Sequence, residues 1–299
     1  MREDYINWQL YARGGICSAF ASPIAVLIRR IRSSKPFIAM DRWLARRDRA
    51  RYEWLTPKPS TDAEKLCLFV TYAPNGRIPF RAIRHAETWR SSGYSIVFII
   101  ALDNYSEHPD VPFGHAIKRE NIGHDLAAWA RAIKEIDLSK TQRLATVNDS
   151  TFVSDRLAAS IINAENVDAD LIGFSDSLEW RWHLQSYALL FNGAAINSPV
   201  FSRLWQPRIV SRAKVILTLE IDLANSLRSI GLRTACLFPS ISGRNPTATE
   251  WPQQAAHGFP FVKRRMLLEN VDAWRETLVR ERFDLSEIES DISGARSTT

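Results

Sequence analysis

The chain has 299 residues, of which 45% are apolar and 24% are charged. This composition is typical of a globular protein and excludes disorder, collagen and a coiled coil as the main class of structure. The three cysteines, Cys17, Cys67 and Cys236, lie far apart and form no CxxC pair. Their spacing argues against a disulfide framework or a zinc ribbon, and it predicts a reducing, cytoplasmic environment.

Positive charge is concentrated in residues 1–60, which we interpret as a basic, helical N-terminal extension. This segment has 12 Lys and Arg against 5 Asp and Glu, whereas the remaining residues have 27 against 28. Its apolar stretch, residues 14–28, is shorter than the roughly 18 residues that a membrane span requires. Basic residues follow this stretch rather than precede it, which argues against a secretory signal.

Aromatic and basic residues are interleaved in residues 41–54, DRWLARRDRARYEW. A basic, aromatic helix after an apolar stretch fits an anionic membrane surface, so residues 14–54 are a predicted contact with the inner face of the plasma membrane. The alternative is a solvated helix whose aromatic side packs on the rest of the chain. Nucleic acid is the least favoured partner, because residues 61–299 carry almost no net charge.

After residue 60, apolar runs of strand length alternate with helical patterns. The predicted strands cover residues 66–72, 95–102, 116–119, 143–147 and 170–174, and the predicted helices cover 80–90, 125–136 and 155–165, with Asp125 as an N-cap. This alternation predicts an α/β fold with a mainly parallel sheet flanked by helices on both faces. In the last segment, 268–299, we predict a helix at 270–282 and then a mobile tail rich in Ser, Asp and Gly.

Parallel sheets bind ligands at the carboxyl ends of their strands, which directs attention to residues 72–77, 119–125 and 148–150. No GxGxxG follows the first predicted strand, and neither GxxxxGK[ST] nor GxSxG occurs. A Rossmann dehydrogenase, a P-loop enzyme and an α/β-hydrolase are therefore disfavoured.

Two polar motifs follow predicted strands. RENIGHD, residues 119–125, suits a tight turn whose following helix offers free N–H groups to an anion. VNDST, residues 147–151, presents hard oxygen ligands that suit Mg²⁺ or Mn²⁺ bound through a diphosphate. Either motif is also compatible with an ordinary turn.

Two further motifs place polar residues among apolar ones. In HLQSY, residues 183–187, a buried His and Gln require hydrogen-bond partners, which a sugar or a core network supplies. In VILTLEIDLANSL, residues 215–227, Glu220 lies in a helical apolar pattern. It is either a buried structural carboxylate or a general base for an acceptor hydroxyl.

In this order, RENIGHD, NDSTF, LIGFSDS, HLQSYALLF, FSRLW and VILTLEIDLANSLRSIG resemble the rhamnan synthesis protein F family. NPTATEW and GFPFVKRRML, within residues 245–267, extend the resemblance, which covers roughly residues 64–267. The family is regarded as glycosyltransferases that build rhamnose-containing cell-surface polysaccharides. The resemblance implies a GT-A-like domain over residues 61–267, a nucleotide-sugar donor, a glycan or lipid-linked acceptor, and Mg²⁺ or Mn²⁺ as cofactor.

The resemblance also implies roles for individual residues. Asp149 stands where GT-A enzymes have their DxD motif and would hold the metal, and a further set of residues would surround the donor and the sugar. That set is Arg119, Asn121, Gly123, Asp125, Asn148, Ser150, His183, Gln185 and Ser186. The catalytic base is left open among Asp176, Glu179 and Glu220.

The sequence departs from the family at residue 248, where Ala248 replaces a histidine that ligates metal in some GT-A enzymes. His257 is a substitute ligand by proximity in sequence alone. The missing histidine and the single aspartate of NDS leave a second function open, namely a catalytically silent GT-A-like module that binds glycan or organises a polysaccharide assembly complex.

Overall fold

The structure, a computed structural model, describes residues 50–60, 62–178, 181–206, 220–243, 247 and 250–296. Its strands are β1 Tyr52–Trp54, β2 Lys65–Tyr72, β3 Ser95–Leu102, β4 His115–Glu120, β5 Arg143–Asn148, β6 Thr151–Val153, β7 Leu171–Ser177, β8 His183–Leu184, β9 Ala188–Asn192, β10 Thr234–Phe238 and β11 Phe261–Lys263. Its helices are α1 Phe80–Ser91, α2 His124–Glu135, α3 Leu157–Glu165, α4 Gly193–Ile196, α5 Pro199–Leu204, α6 Leu223–Arg228, α7 Trp251–Ala256, α8 Arg264–Asn270, α9 Arg275–Arg280 and α10 Leu285–Arg296, with a 3₁₀ turn at Asp272–Trp274.

The strands form one large sheet in the order β1-β4-β3-β2-β5-β9-β7-β10, with β8 paired to β7. The neighbours β4, β3, β2 and β5 run parallel to one another, and β10 runs parallel to β7. Strand β9 is antiparallel to both of its neighbours, and β1 is antiparallel to β4. The predicted mainly parallel α/β fold is confirmed.

Helices cover both faces of the sheet because successive strand residues point to opposite sides. On one face, Phe69 of β2 clusters with Trp89 of α1, which is fully buried. On the other face, Leu68 clusters with Trp129 of α2, whose indole Nε1 donates to the main-chain oxygen of Leu68 at 3.0 Å. Each buried large side chain contributes roughly 1.5–3 kcal/mol, so both layers hold the central strands firmly in place.

Strand order reverses direction at β2. From β2 the chain adds β3 and β4 on one side, and it then returns to place β5 on the other side of β2. A topological switch point therefore lies between β2 and β5, and their carboxyl ends, Tyr72 and Asn148, meet at one edge of the sheet.

Residues 50–54 correct the prediction of a basic helix over 41–54. Tyr52–Trp54 form an edge strand that pairs with β4 in the register Tyr52 to Arg119 and Trp54 to Ile117. Backbone pairing with an open sheet edge outweighs the local helical pattern here, and the Arg131 guanidinium lies 3.8 Å from the centroid of the Tyr52 ring. Residues 1–49 of the N-terminal extension lie outside the described residues. Within the described part, no helix is both long and apolar enough to cross a membrane.

The C-terminal segment also differs from its prediction. The helix expected over 270–282 is divided by the 3₁₀ turn, at which Trp274 packs edge-on against Trp251 with ring centroids 5.5 Å apart. The tail expected to be mobile forms α10 as far as residue 296. Ile288 and Ile292, one helical turn apart, are buried in the core and anchor this helix.

Candidate functional site at the switch point

Asp149 lies at the topological switch point. It follows β5 directly, and its backbone N–H donates to the main-chain oxygen of Val70 in β2 at 3.2 Å. In open α/β sheets, ligands bind in the crevice outside the carboxyl ends of the strands at such a point. The residue predicted to anchor the donor therefore occupies the position where the topology favours a ligand site.

One oxygen of the Asp149 carboxylate is held by the protein. Oδ2 accepts hydrogen bonds from Thr71 Oγ1 at 2.8 Å, from the Tyr72 backbone N–H at 3.3 Å and from Arg81 Nη2 at 3.3 Å. No described residue donates to Oδ1, and the side chain is 13% exposed. The carboxylate is thus fixed in orientation and reaches solvent, with one oxygen available to a ligand.

Arg81 is a site residue that the sequence did not reveal. It lies in the first turn of α1, and its Nε donates to the main-chain oxygen of Asp149 at 3.2 Å. Its Nη1 is bound to Asp291 of α10. Because these partners are 68 and 210 residues away, no local motif marks Arg81.

The NDS and RENIGHD motifs meet in the structure. Asn148 Nδ2 donates to Asp125 Oδ2 at 2.8 Å, and Asn148 Oδ1 accepts from Ser150 Oγ at 2.6 Å. Asp125 is not the N-cap of α2 as predicted: the cap is Gly123, whose φ of 83° is in the left-handed region that glycine adopts readily. The Asp125 side chain lies in the first turn of α2 and binds Asn148 rather than capping the helix.

Arg119 holds the turn that follows β4. Its side chain is buried, and it donates to the main-chain oxygens of Ile122 at 2.6 Å and of Glu120 at 3.2 Å. Its described contacts therefore shape the RENIGHD turn.

Tyr72, Asp103 and Asn121 form a polar cluster at the carboxyl ends of β2, β3 and β4. The Tyr72 hydroxyl donates to Asp103 Oδ2 at 2.5 Å, and Asn121 Nδ2 donates to Asp103 Oδ1 at 3.0 Å. Both hydrogen bonds lower the pKa of Asp103, and the bond from Tyr72 has the larger effect. The bond between Tyr72 and Asp103 also raises the pKa of Tyr72. The Tyr72 residue is 43% exposed, so its ring offers an accessible aromatic surface.

The HLQSY motif reaches the same edge of the sheet through its backbone. Asn148 donates its backbone N–H to the main-chain oxygen of Tyr187 at 3.0 Å. The adjacent Ser186 donates from Oγ to Glu220 Oε1 at 3.0 Å. No described residue donates to Glu220 Oε2, so this carboxylate is anchored by one oxygen.

His183 and Gln185 are buried beside this motif. His183 Nδ1 lies 2.9 Å from the main-chain oxygen of Arg181, and Gln185 Nε2 lies 3.5 Å from His183 Nε2. Both side chains therefore take part in an internal polar network.

Asp176 has both carboxylate oxygens engaged. Oδ2 accepts from Trp182 Nε1 at 2.7 Å, and Oδ1 accepts from the backbone N–H of Ser240 at 2.6 Å. Burial raises the pKa of Asp176 to about 6, although these hydrogen bonds oppose the shift. The geometry gives Asp176 the role of joining β7 to the loop after β10. Glu179, the third candidate base, lies outside the described residues.

Asp149 Oδ1 is a carboxylate oxygen at this edge that could serve as a ligand for a divalent cation. The described residues contain no group of three or more His, Cys, Asp or Glu side chains that could hold a metal ion. His257 contacts the main-chain oxygen of Gln253 at 2.7 Å, just after α7. Mg²⁺ and Mn²⁺ are often held by one or two carboxylates together with substrate phosphates and water. Asp149 Oδ1 fits such a cation when a diphosphate supplies the remaining ligands.

A separate cavity of about 750 Å³ opens at the amino ends of β2 and β5, on the opposite edge of the sheet. Three of its four charged side chains have protein partners: Lys140 pairs with Asp62, and Arg143 donates to the main-chain oxygen of Glu165. None of the predicted site residues lines this cavity. The site geometry therefore favours the switch point over this cavity.

Comparison with known proteins identifies a family whose match includes these motifs. A family model described as "Rhamnan synthesis protein F" matches residues 112–281, more than half of the chain. The chain belongs to this family. The match includes β5, the NDS and HLQSY motifs and Glu220, while β1, β2, β3 and α10 lie outside it.

Two curated relatives from Vibrio anguillarum, one of them from strain ATCC 68554 / 775, are both called "Virulence protein VirA". Each is 25% identical over 199 residues, which cover 54% of this chain. The chain spans 64% of the length of these relatives.

Solved structures show a more distant similarity. A glycosyltransferase involved in the glycosylation of the major capsid of PBCV-1 aligns with a TM-score of 0.38 and 11% identity over 66% of this chain and 94% of its own. A 4-diphosphocytidyl-2C-methyl-D-erythritol synthase from Anaerococcus prevotii DSM 20548 aligns with a TM-score of 0.36 and 11% identity over 62% of this chain and 94% of its own.

Proposed function

We propose that this chain is a glycosyltransferase that moves a sugar, rhamnose in particular, from a nucleotide-sugar donor to a cell-surface polysaccharide or a lipid-linked glycan. Membership of the rhamnan synthesis protein F family supports this class of reaction. The observation that carries the proposal is the position of Asp149, oriented at the switch point with one oxygen open to a ligand.

The donor nucleotide fits the edge formed by β2, β3 and β4. The exposed ring of Tyr72 offers a surface for stacking a base, an interaction worth roughly 1–3 kcal/mol. The Asp103 carboxylate beside it is ionised at neutral pH and accepts one bond on each oxygen, from Tyr72 and from Asn121. A second lone pair on either oxygen could accept an N–H of the base or a hydroxyl of the ribose. From this edge the diphosphate would extend towards Asp149, whose backbone follows the neighbouring strand.

Asp149 is the residue that would hold Mg²⁺ or Mn²⁺, through Oδ1. A bound cation supplies Lewis-acid neutralisation of the charge that develops on the departing diphosphate. The chain's own contribution is positional: Thr71, the Tyr72 backbone and Arg81 fix Oδ2, so Oδ1 points out of the contact network.

Glu220 is the favoured general base among the described candidates. Its Oε1 is oriented by Ser186, and Oε2 has no described donor, so it could accept the proton of an acceptor hydroxyl. Asp176 is less suited, because both of its oxygens are bound to the protein. Glu179 keeps its place as a candidate from the sequence.

The reaction would take place in the cytoplasm, at the inner face of the plasma membrane. The basic and aromatic composition of residues 14–54 supports an association with anionic lipid. A lipid-linked acceptor would be found at the same surface.

A second function, the silent module that binds glycan or organises an assembly complex, is favoured by one observation. The ion pair with Arg81 partly neutralises Asp149, which weakens its attraction for a cation. Nucleotide binding discriminates the two functions, because a silent glycan-binding module does not require a donor.

The test is a thermal-shift panel of UDP-, GDP- and dTDP-sugars with and without Mn²⁺, on the wild type, Asp149→Asn and Asp168→Asn. Asp168 is an exposed carboxylate at the amino end of β7 and serves as the matched control. A ligand that binds only the native state at 100 times its Kd stabilises it by roughly 2.7 kcal/mol. We expect at least one donor to raise the melting temperature of the wild type and Asp168→Asn.

Loss of this shift in Asp149→Asn, together with Mn²⁺-dependent hydrolysis of the same donor by the wild type alone, would support the glycosyltransferase. An equal shift in Asp149→Asn would refute the role of Asp149. If no donor shifts the wild type, the silent module is the better description.

A further inference from the structure

Five residues form a closed ring of contacts around the loop that carries Asp149. Arg81 binds the Asp149 carboxylate and its main-chain oxygen, and Asp291 binds Arg81 Nη1. Arg264 Nε donates to Asp291 Oδ2 at 2.5 Å, and the Arg264 backbone N–H donates to the main-chain oxygen of Ser150 at 3.1 Å. Because Ser150 follows Asp149, the ring begins and ends on the same loop.

Asp291 is the member that joins the two arginines. Each of its carboxylate oxygens is bound to a different guanidinium, and its side chain is 14% exposed. It lies on α10, beyond the residues that match the family, and its two partners contact successive peptide groups of the loop. Asp291 therefore acts on the position of Asp149 without touching it.

The ring also affects the electrostatics of the site. Arg81 is shared between two carboxylates, Asp149 and Asp291. If Asp291 lost its charge, the whole positive charge of Arg81 would act on Asp149. The electrostatic potential at the open Oδ1 would then become less negative, and a cation would bind there less tightly.

We propose that Asp291 is a positioning residue of the switch-point site: it restrains Arg81 and Arg264, fixes the loop at residues 149–150 and preserves the charge with which Asp149 attracts a diphosphate-bound cation. The inference rests on the proposed function. It makes α10 part of the donor site.

A neighbouring ion pair provides a matched control. Arg84, one turn after Arg81 on α1, binds Glu287 at 2.7 Å, one turn before Asp291 on α10. The described ion-pair partners of Arg84 are Asp155, Asp284 and Glu287, none of which contacts Asp149. Both ion pairs connect α1 to α10, but only the pair of Arg81 with Asp291 includes a residue that contacts Asp149.

The experiment titrates Mn²⁺ against the full chain in the presence of the donor that most stabilises the wild type, with the melting temperature as readout. For Asp291→Asn we expect the Mn²⁺ concentration at half-maximal shift to rise about tenfold, the ratio that corresponds to one pKa unit of electrostatic free energy. Asp291→Glu should restore most of the affinity, and Glu287→Gln should stay within about twofold of the wild type.

Arg264→Gln tests the charge argument with the opposite sign. Arg264→Gln removes the side chain that binds Asp291 but keeps the backbone N–H that holds the Ser150 oxygen. Asp291 then acts on Arg81 alone, so Arg81 should neutralise Asp149 less and the Mn²⁺ concentration at half-maximal shift should fall. This arm keeps the inference testable if Asp291→Asn does not fold.

If Asp291→Asn and Glu287→Gln changed the Mn²⁺ concentration at half-maximal shift equally, the inference would be refuted, because Asp291 would then only hold α10 against α1. A higher Mn²⁺ concentration at half-maximal shift in Arg264→Gln than in the wild type would refute it as well. A wild type that no donor stabilises would refute the proposed function and the inference with it, whereas a stabilised wild type with an unchanged Asp291→Asn would refute the inference alone.

Discussion

Asn148 donates a hydrogen bond of 2.8 Å to Asp125, which joins the end of β5 to the first turn of α2. The two residues belong to motifs that the sequence presents as separate turns. Since the acceptor is an ionisable carboxylate, such a bond contributes roughly 1.5–3 kcal/mol when the carboxylate is charged. The two motifs therefore form one unit at the edge of the sheet.

A double-mutant cycle measures this connection. We expect Asn148→Ala and Asp125→Ala each to lower the free energy of unfolding, and the double variant to lose about 1 kcal/mol less than their sum. Urea unfolding supplies the values. Asn148→Ala combined with Asp168→Ala is the control, because residue 168 is at the amino end of β7 and should give additive losses. Additivity in both pairs would show that the Asn148–Asp125 contact is not formed in solution.

Replacement of Glu220 separates catalysis from donor binding. Removal of a general base costs about 10²–10⁴-fold in rate, so Glu220→Gln should lower kcat by that factor. The donor-dependent rise in melting temperature should stay unchanged, because Glu220 is anchored by Ser186 and has no described contact with Asp149. Turnover of the donor in the presence of acceptor is the measurement. Full activity in Glu220→Gln would transfer the role to Glu179.

Asp176 gives the folded protein a specific pH dependence. Its pKa is raised from 3.8 to about 6 by burial, so the folded state binds the proton more tightly than the unfolded state does. The contribution of Asp176 to stability is therefore largest below pH 4 and decreases as the pH rises through 6, by up to about 3 kcal/mol.

Asp176→Asn lacks this titration. The free energy of unfolding of the wild type minus that of Asp176→Asn should decrease between pH 4 and pH 7, as measured by urea unfolding at several pH values. A difference that is constant across this range would show that Asp176 is not buried as described.

Lipid binding by the basic N-terminal segment can be tested by co-sedimentation. We expect the full chain to sediment with vesicles that contain phosphatidylserine, and this binding to weaken at high salt, where surface charges are screened. Deletion should stop at residue 49, because β1 begins at Tyr52 and belongs to the sheet. Equal sedimentation of the full and the shortened chain would contradict the membrane contact, and phosphatidylcholine vesicles serve as the neutral control.

The sequence predicted the central strands and helices to within a few residues, because buried parallel strands appear as continuous apolar runs. It failed where tertiary contacts decide the structure. Edge pairing made a strand of Tyr52–Trp54, the buried Ile288 and Ile292 ordered α10, and Gly123 took the cap that Asp125 was expected to provide.

At the site, the RENIGHD and NDS motifs could be found from the sequence, since each follows a strand that ends at the same edge. HLQSY and Glu220 could be found because they place polar residues among apolar ones. Arg81 and Asp291 could not be found in this way. An ion pair across 210 residues leaves no periodicity or spacing in the sequence, and neither residue stands in a recognisable motif. Only the packing of α10 on α1 brings them together.

The antiparallel direction of β1 has a consequence for how the protein would meet its acceptor. Because Tyr52 is opposite Arg119 and Arg51 binds Glu120, the polypeptide enters the sheet from the rim where β4 ends, which is also the rim that carries Asp103, Asn121 and Asp149. If the residues before β1 bind the bilayer as proposed, this rim of the sheet would lie on the side of the molecule that faces the membrane. A glycan on a lipid carrier would then lie close to the bound donor without leaving the membrane surface.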